Sequence, residues 1–205
     1  MAKQPIQKKD KDFSSDTRFI ANLLRAINSL RLEMLSNYKR HVSVGDLFFD
    51  RWDTAKFYGF GEGTSCYNNV LILGNVKVGK NTWIGPNVVL DGSGDLSIGD
   101  YVSVSAGVQI YTHNSVDWST SLGKSDLKKK PTKIGSGVYI GPNAVIEMGV
   151  NVGDGAIIGA MSFVNKDIPA GGKYVGIPAV PVPVPAPVPV PVPVRQNNVG
   201  DDHGI

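Results

Sequence analysis

Apolar residues recur at every sixth position along most of this chain. That spacing is neither the 3.6-residue period of a helix nor the two-residue period of an isolated strand. Counting from Phe60 gives Cys66, Ile72, Val78, Ile84 and Leu90. Two extra residues follow, and the count resumes at Ile98, Val104 and Ile110. It halts there for one long polar stretch, then returns in phase as Ile134, Ile140, Ile146, Val152, Ile158 and Val164. Small or β-branched residues stand four places after these positions (Thr64, Thr82, Val88, Val108, Ala144 and Ser162 among them), and glycine often stands one place after. A spacing that does not drift predicts a solenoid of short parallel strands, each ending at a corner, with the aliphatic residue inward. Three strands per turn make a triangular coil, so the fifteen positions predict about five coils stacked roughly 4.8 Å apart. Glycine and asparagine are expected at the corners, where tight turns demand positive φ.

Upstream the rhythm changes. "SSDTRFIANLLRAINSLRLEMLSNYKRH" sets Phe19, Leu23, Ile27, Leu30 and Met34 on one stripe, joined by Ile20, Leu24 and Leu35. This predicts an N-terminal amphipathic α-helix, with Ser14, Ser15 or Asp16 able to cap it. Arg18, Arg25, Arg31, Lys39 and Arg40 decorate it. Packing on its own subunit or a neighbour is the commoner fate of such a helix, and an anionic membrane surface is the alternative. Trp52 and the phenylalanines of "VGDLFFDRWDTAKFYGFGEG" are expected to plug the open end of the first coil, because solenoids need caps. After Ala179 the run "VPVPVPAPVPVPVPV" must be extended, since proline neither feeds a ladder nor lets its predecessor turn helical. The expected division is therefore a lead, helix and cap over 1–59, the solenoid over 60–179 with a loop at 113–131, and a Pro-Val tail over 180–205.

Composition narrows the class. A net charge of +3 over 205 residues is too mild to imply nucleic acid. Cys66 is the single cysteine, so no internal disulfide forms and a reducing compartment is expected. The N-terminus offers no apolar run long enough for a signal peptide, and no stretch is suited to spanning a bilayer as a helix. The expectation is a cytoplasmic protein, with the inner face of the membrane as a further place should the helix lie there. A zinc centre needs about three converging ligands, and His113 is the one histidine in the repeat region, so no metal is expected.

The halt in the rhythm holds the candidate chemistry. From Ile110 to Ile134 the chain uses twenty-four residues where six would serve. Ordered excursions of that length inside a compact domain are usually functional. His113 stands at the root, in "YTHN"; an imidazole can take a proton near neutral pH, or it can simply cap a corner. Residue type alone leaves both readings open. Trp118 could stack on a sugar face. Lys128, Lys129 and Lys130 suit phosphates as well as they suit plain solvent exposure. Asp91 sits at the two-residue bulge, where a turn aspartate is ordinary.

The runs "IGPNVV", "IGSGVY", "IGPNAV", "VGDGAI" and "IGAMSF", with the ending "IGAMSFVNKDIPAGGKYVGIPA", resemble the hexapeptide-repeat acyltransferases over residues 60–179. The resemblance implies a left-handed parallel β-helix, against the usual right-handed preference for crossovers. It further implies a homotrimer with active sites between subunits and acetyl-CoA as acyl donor. On that pattern His113 is the catalytic base. Asp91, Asn114 and Trp118 meet the acceptor, and Tyr139, Ala160, Asn165, Lys166 and Lys173 meet the cofactor. The stretch from Phe57 to Trp118 is similar to acetyltransferases of bacterial surface polysaccharides, which implies a small-molecule, lipid-linked or nucleotide-linked saccharide acceptor. Transfer to a sugar hydroxyl is the leading expectation. Transfer to the amine of a nucleotide-linked aminosugar is the alternative, and a non-catalytic scaffold is the third. In one respect the chain departs from the pattern: relatives follow "GIPA" with basic residues, whereas here no cation comes before Arg195.

Overall fold

A computed structural model describes residues 13–183. The charged lead, most of the Pro-Val tail, Arg195 and His203 lie outside the described residues. Three helices come first: α1 over Phe13–Tyr38, α2 over Val44–Phe48 and α3 over Arg51–Phe57. The rest is a three-sided parallel β-solenoid.

Its first face stacks Ser65–Cys66, Trp83–Ile84, Ser103–Val104, Tyr139–Ile140, Ile157–Ile158 and Lys173–Val175. The second and third faces begin as two long strands, Leu71–Val78 and Val89–Ile98, which bend across the edge between them. Gln109–Ile110, Val145–Ile146 and Phe163–Val164 extend the second face. Thr132–Ile134, Asn151–Val152 and a bridge to Ile168 extend the third. Five complete turns thus form, with the opening strand of a sixth. Ser65 pairs with Trp83, eighteen residues on, which is three hexapeptides. The two extra residues after Leu90 fall in the corner between faces two and three, where the register jumps between Gly74 and Val76. The long excursion leaves that same corner one turn later.

Fourteen of the fifteen rhythm positions are buried, and Ile72 is partly so. They form one continuous apolar column, the main source of stability in a fold whose turns touch only their neighbours. Buried threonines complete the corners. Thr64 Oγ1 donates to Gly79 O at 2.7 Å and accepts from Thr82 N at 3.0 Å, and Thr82 repeats this toward Gly99 O and Val102 N. Each hydroxyl thereby satisfies itself against the next turn.

Gly107, Gly137 and Gly155 take positive φ as expected of corner glycines, but those directly after a rhythm position depart from expectation. Gly79, Gly99 and Gly135, each one place after a rhythm position, do not have positive φ; that conformation falls instead on residues such as Asn81, Asn87, Tyr101 and Asn143. The glycine requirement is one of space. A Cβ on Gly99 would lie 2.8 Å from the carbonyl carbon of Gly135 in the next turn, closer than adjacent turns allow.

The cap also differs. Phe48, Phe49, Trp52 and Phe57 stay exposed, and the first coil is closed by Ala55, Thr54 and Phe60. Asp50 caps α3 by accepting from Trp52 N at 2.8 Å. The helix α1 already includes Ser14, Ser15 and Asp16, so none of them marks its start. Its apolar stripe is only partly covered: Phe19, Ile20, Leu24 and Leu35 are each more than half exposed, whereas Ile27, Leu30 and Met34 are partly buried. No helix among the described residues is long and apolar enough to cross a membrane. At the far end Val180–Pro181 folds back antiparallel on Lys173–Val175.

Candidate active site

The two breaks in the rhythm meet. Leu90 pairs with Ile110 across adjacent turns, so the bulge after Leu90 lies against the root of the excursion after Ile110. The main-chain N–H of Gly94, in the bulge, donates to Thr112 Oγ1 at 2.8 Å, and that hydroxyl donates to Asp91 O at 2.8 Å. A Cβ on Gly94 would lie 2.5 Å from Thr112 O, so glycine is required for the close approach.

The excursion is an ordered hairpin. His113–Asn114 pairs antiparallel with Lys128–Lys129, and a short helix α4, Val116–Thr120, sits between them. Lys130 N donates to Thr112 O and closes the stem. Lys128 Nζ is paired with Asp117 Oδ2 at 2.6 Å. The stem of Lys130 lies over Gly149 of the next turn.

At the junction His113 Nδ1 is 2.6 Å from Asp91 Oδ2. Asp91 is completely buried. Its Oδ2 also accepts from Thr112 N at 2.8 Å and His113 N at 3.1 Å, and its Oδ1 accepts from Ser93 N at 3.0 Å. Burial pushes the Asp91 carboxyl up, but hydrogen bonds from Ser93, Thr112 and His113 outweigh it and hold the group well below the usual carboxylate range. The carboxylate is therefore ionised near neutral pH and can only accept. Nδ1 of a neutral His113 must then carry the ring proton, which leaves the lone pair on Nε2. The ring is 28% exposed, so that lone pair is within reach of a ligand. An oriented imidazole with its second nitrogen free is the arrangement general-base catalysis requires.

Asp91, expected at the acceptor, thus stands behind the histidine instead. Asn114 lies beside His113, and its Oδ1 accepts from Val116 N at 3.3 Å, starting α4. Trp118 is half exposed on α4. The residues expected at the cofactor are dispersed. Asn165 and Lys166 occupy the same prism edge as His113, two turns on, whereas Tyr139 and Lys173 lie on the first face and Ala160 at the edge between faces one and two. A single chain does not gather all five around one ligand. Thr112 was not anticipated as a site residue; its signal was its place at the junction of the two breaks. Cys66 is fully buried, and burial, with the Asp46 charge adding, pushes its thiol up to about 12. No trio of His, Cys, Asp or Glu side chains converges for a metal among the described residues.

Comparison with known proteins agrees with this architecture. Residues 131–166 match the family described as bacterial transferase hexapeptide (six repeats). The chain is 32% identical over 146 residues to the dTDP-4-amino-4,6-dideoxy-D-glucose acyltransferase of Escherichia coli, a match spanning 63% of this chain and 76% of that protein. It is 31% identical over 104 residues to the galactoside O-acetyltransferase of Escherichia coli strain K12, covering 51% of each chain, so the match spans about half of that relative. Among solved structures, a hexapeptide-repeat-containing acetyltransferase from Vibrio cholerae O1 biovar eltor, complexed with acetyl coenzyme A, superposes with a TM-score of 0.58 and 27% identity over 80% of this chain and 87% of that one. The chain belongs to the hexapeptide-repeat acyltransferase family, and its solenoid is that family's left-handed parallel β-helix.

Proposed function

We propose that the protein transfers an acetyl group from acetyl-CoA to a sugar hydroxyl, with His113 as general base. The observation that carries this reading is the 2.6 Å contact between His113 Nδ1 and the buried Asp91 carboxylate. A sugar hydroxyl keeps its proton at neutral pH and attacks a thioester poorly. Nε2 takes that proton as the oxygen adds to the thioester carbonyl carbon. The C–S bond then breaks and the proton passes from the imidazolium to the departing thiolate, which leaves as free coenzyme A. Asp91 acts as a positioning residue that fixes the tautomer and offsets the charge on the ring. Main-chain N–H groups near the corner hold the developing oxyanion.

Asn114 and Trp118, on the same hairpin, are assigned to the acceptor. Asn165 and Lys166, along the His113 edge, are assigned to the coenzyme. Tyr139, Ala160 and Lys173 lie elsewhere on the prism, so they reach a coenzyme only from a neighbouring subunit. This favours a homotrimer with sites between chains. The similarity to the galactoside O-acetyltransferase supports a hydroxyl acceptor, and a surface-polysaccharide role in the cytoplasm is the setting we favour. The similarity to the dTDP-aminosugar acyltransferase supports a second reading, transfer to an amine.

One experiment separates the two. His113→Ala should abolish nearly all O-acetylation at every pH tested. An amine is partly unprotonated near pH 8 and needs less help, so recovery of the variant's rate in alkali would move the assignment to the aminosugar. If millimolar acetyl-CoA leaves the thermal midpoint of the wild-type protein unchanged, the acyl-donor reading fails and a binding scaffold remains.

A further inference from the structure

A cavity lined by none of the residues around His113 lies at the first turn. The end of α1, the linker to α2 and the start of α3 enclose about 430 Å³ against Tyr67. Arg51 forms its inner wall. The guanidinium carbon sits 5.0 Å from the ring centroid of Trp52 and 4.7 Å from that of Tyr67. Stacking against two rings fixes the plane of the group and leaves the donors along its edge to find partners.

Those donors make no ion pair, although acidic side chains share the cavity. The ion pairs among the described residues are His113–Asp91 and Lys128–Asp117, and Arg51 is in neither. Two carboxylates line the same cavity and balance its two arginines in charge, so the fit to an anion rests on the geometry of the guanidinium; each carboxylate already accepts from the protein. Asp46 accepts from Asn68 N and Asn68 Nδ2 on one oxygen and from Ser43 Oγ at 2.6 Å on the other. Asp50 accepts from Trp52 N as the cap of α3. Arg40 adds a second cation to the lining. A partly buried, plane-locked guanidinium with an open fork matches a carboxylate or phosphate in two-point contact.

We infer that this cavity is a binding site for an organic oxyanion, a carboxylate or phosphate carried on a group about the size of a sugar ring, held by Arg51 with Arg40 as a second cation of the lining. The inference does not use the acyl-transfer reading, because none of its residues belongs to the His113 site. It also gives α1 a tether. Met34 and Tyr38 line the cavity with Arg40, so a ligand that contacts them and Arg51 together fixes the end of α1 to the first coil.

Glucose 1-phosphate and glucuronate present the two oxyanions on one kind of ring, and methyl glucoside is the neutral control. Calorimetric titration of the full chain should detect binding of at least one anion and none of the control. Arg51→Gln should weaken that binding at least tenfold, and Arg51→Lys, which keeps the charge but loses the fork, should weaken it as well. His113→Ala should bind as wild type does. Hydrogen exchange at residues 34–42 should slow when the anion is added. Stronger binding of the phosphate assigns a phosphorylated ligand, and stronger binding of glucuronate an acidic saccharide. Should Arg51→Gln fail to fold, the Lys variant carries the test. The inference is overturned if neither anion binds, if both Arg51 variants bind as wild type does, or if His113→Ala removes the binding.

Discussion

Two edges of the same prism obey one packing rule and differ in what interrupts it. Along the edge between faces three and one, Gly79, Gly99 and Gly135 stack without room for a Cβ, and Thr64 and Thr82 pass hydrogen bonds from turn to turn. Along the edge between faces two and three, a bulge at Gly92–Asp95 sits against a hairpin rooted at Thr112 and His113. The regular edge holds the turns in register. The irregular one uses that rigidity to fix Asp91 against His113, as expected where a stiff scaffold positions reactive groups on a loop. In this molecule the candidate reactive groups are kept to the irregular edge.

That separation can be broken deliberately. The largest expected effect is on activity: His113→Ala should lower kcat by roughly 10²–10⁴-fold, the range of general acid–base catalysis, with only a modest fall in melting temperature, because the Asp91 carboxylate keeps its main-chain donors from Ser93 and Thr112. Asp91→Asn should cost less than this in kcat, because the base remains but its tautomer is no longer fixed. The substitution should also change the pH dependence of folding. The fold lowers the Asp91 carboxyl, so its contribution is complete above the ordinary aspartate value of about 3.9 and is lost as pH falls below it. Melting curves should therefore show the widest gap between wild type and Asp91→Asn near neutral pH, narrowing in acid.

On the regular edge the effects should be reversed. Gly99→Ala forces a Cβ against the backbone of the next turn, and overpacking of this kind costs about 1–3 kcal/mol. For a chain of this size each kcal/mol lowers the melting temperature by about 2–4 °C, and kcat measured well below the transition should hold. Gly94→Ala sharpens the comparison. Its Cβ would press on Thr112 O, so it should lose both stability and kcat; an unchanged kcat would mean that the bulge does not position His113. The smallest effect belongs to Lys128→Ala. The exposed pair with Asp117 is worth at most about 1 kcal/mol, and thermal scans should barely register its loss.

Much of this was legible in the sequence because the solenoid repeats one physical demand. Each hexapeptide must send one aliphatic side chain inward, so Leu90, Ile110 and Ile146 announce themselves by spacing, and any departure stands out. The position of the excursion and its histidine followed from that. The role of Asp91 did not, because it depends on which residues of one turn lie against which of the next. A two-residue bulge placed twenty residues before the histidine becomes its neighbour only once the turns stack. The positive φ of Gly107, Gly137 and Asn143 follows from turn chemistry, but the need for Gly79, Gly99 and Gly135 does not, since interturn spacing, unlike turn conformation, has no local signature. Of the aromatics expected as the plug, Phe60 alone is buried. At the end of so narrow a prism there is room for Ala55 and Thr54, and Trp52 is left outside beside Arg51.

The reversal at Val180–Pro181 has a consequence beyond the single chain. A stack of parallel turns ends in a row of open main-chain groups, and such a row can template the next molecule into a growing fibre. On the first face that row is covered by a strand running the opposite way, and Pro181 offers no N–H to a newcomer. The chain thereby blunts on this side its own tendency to polymerise end to end.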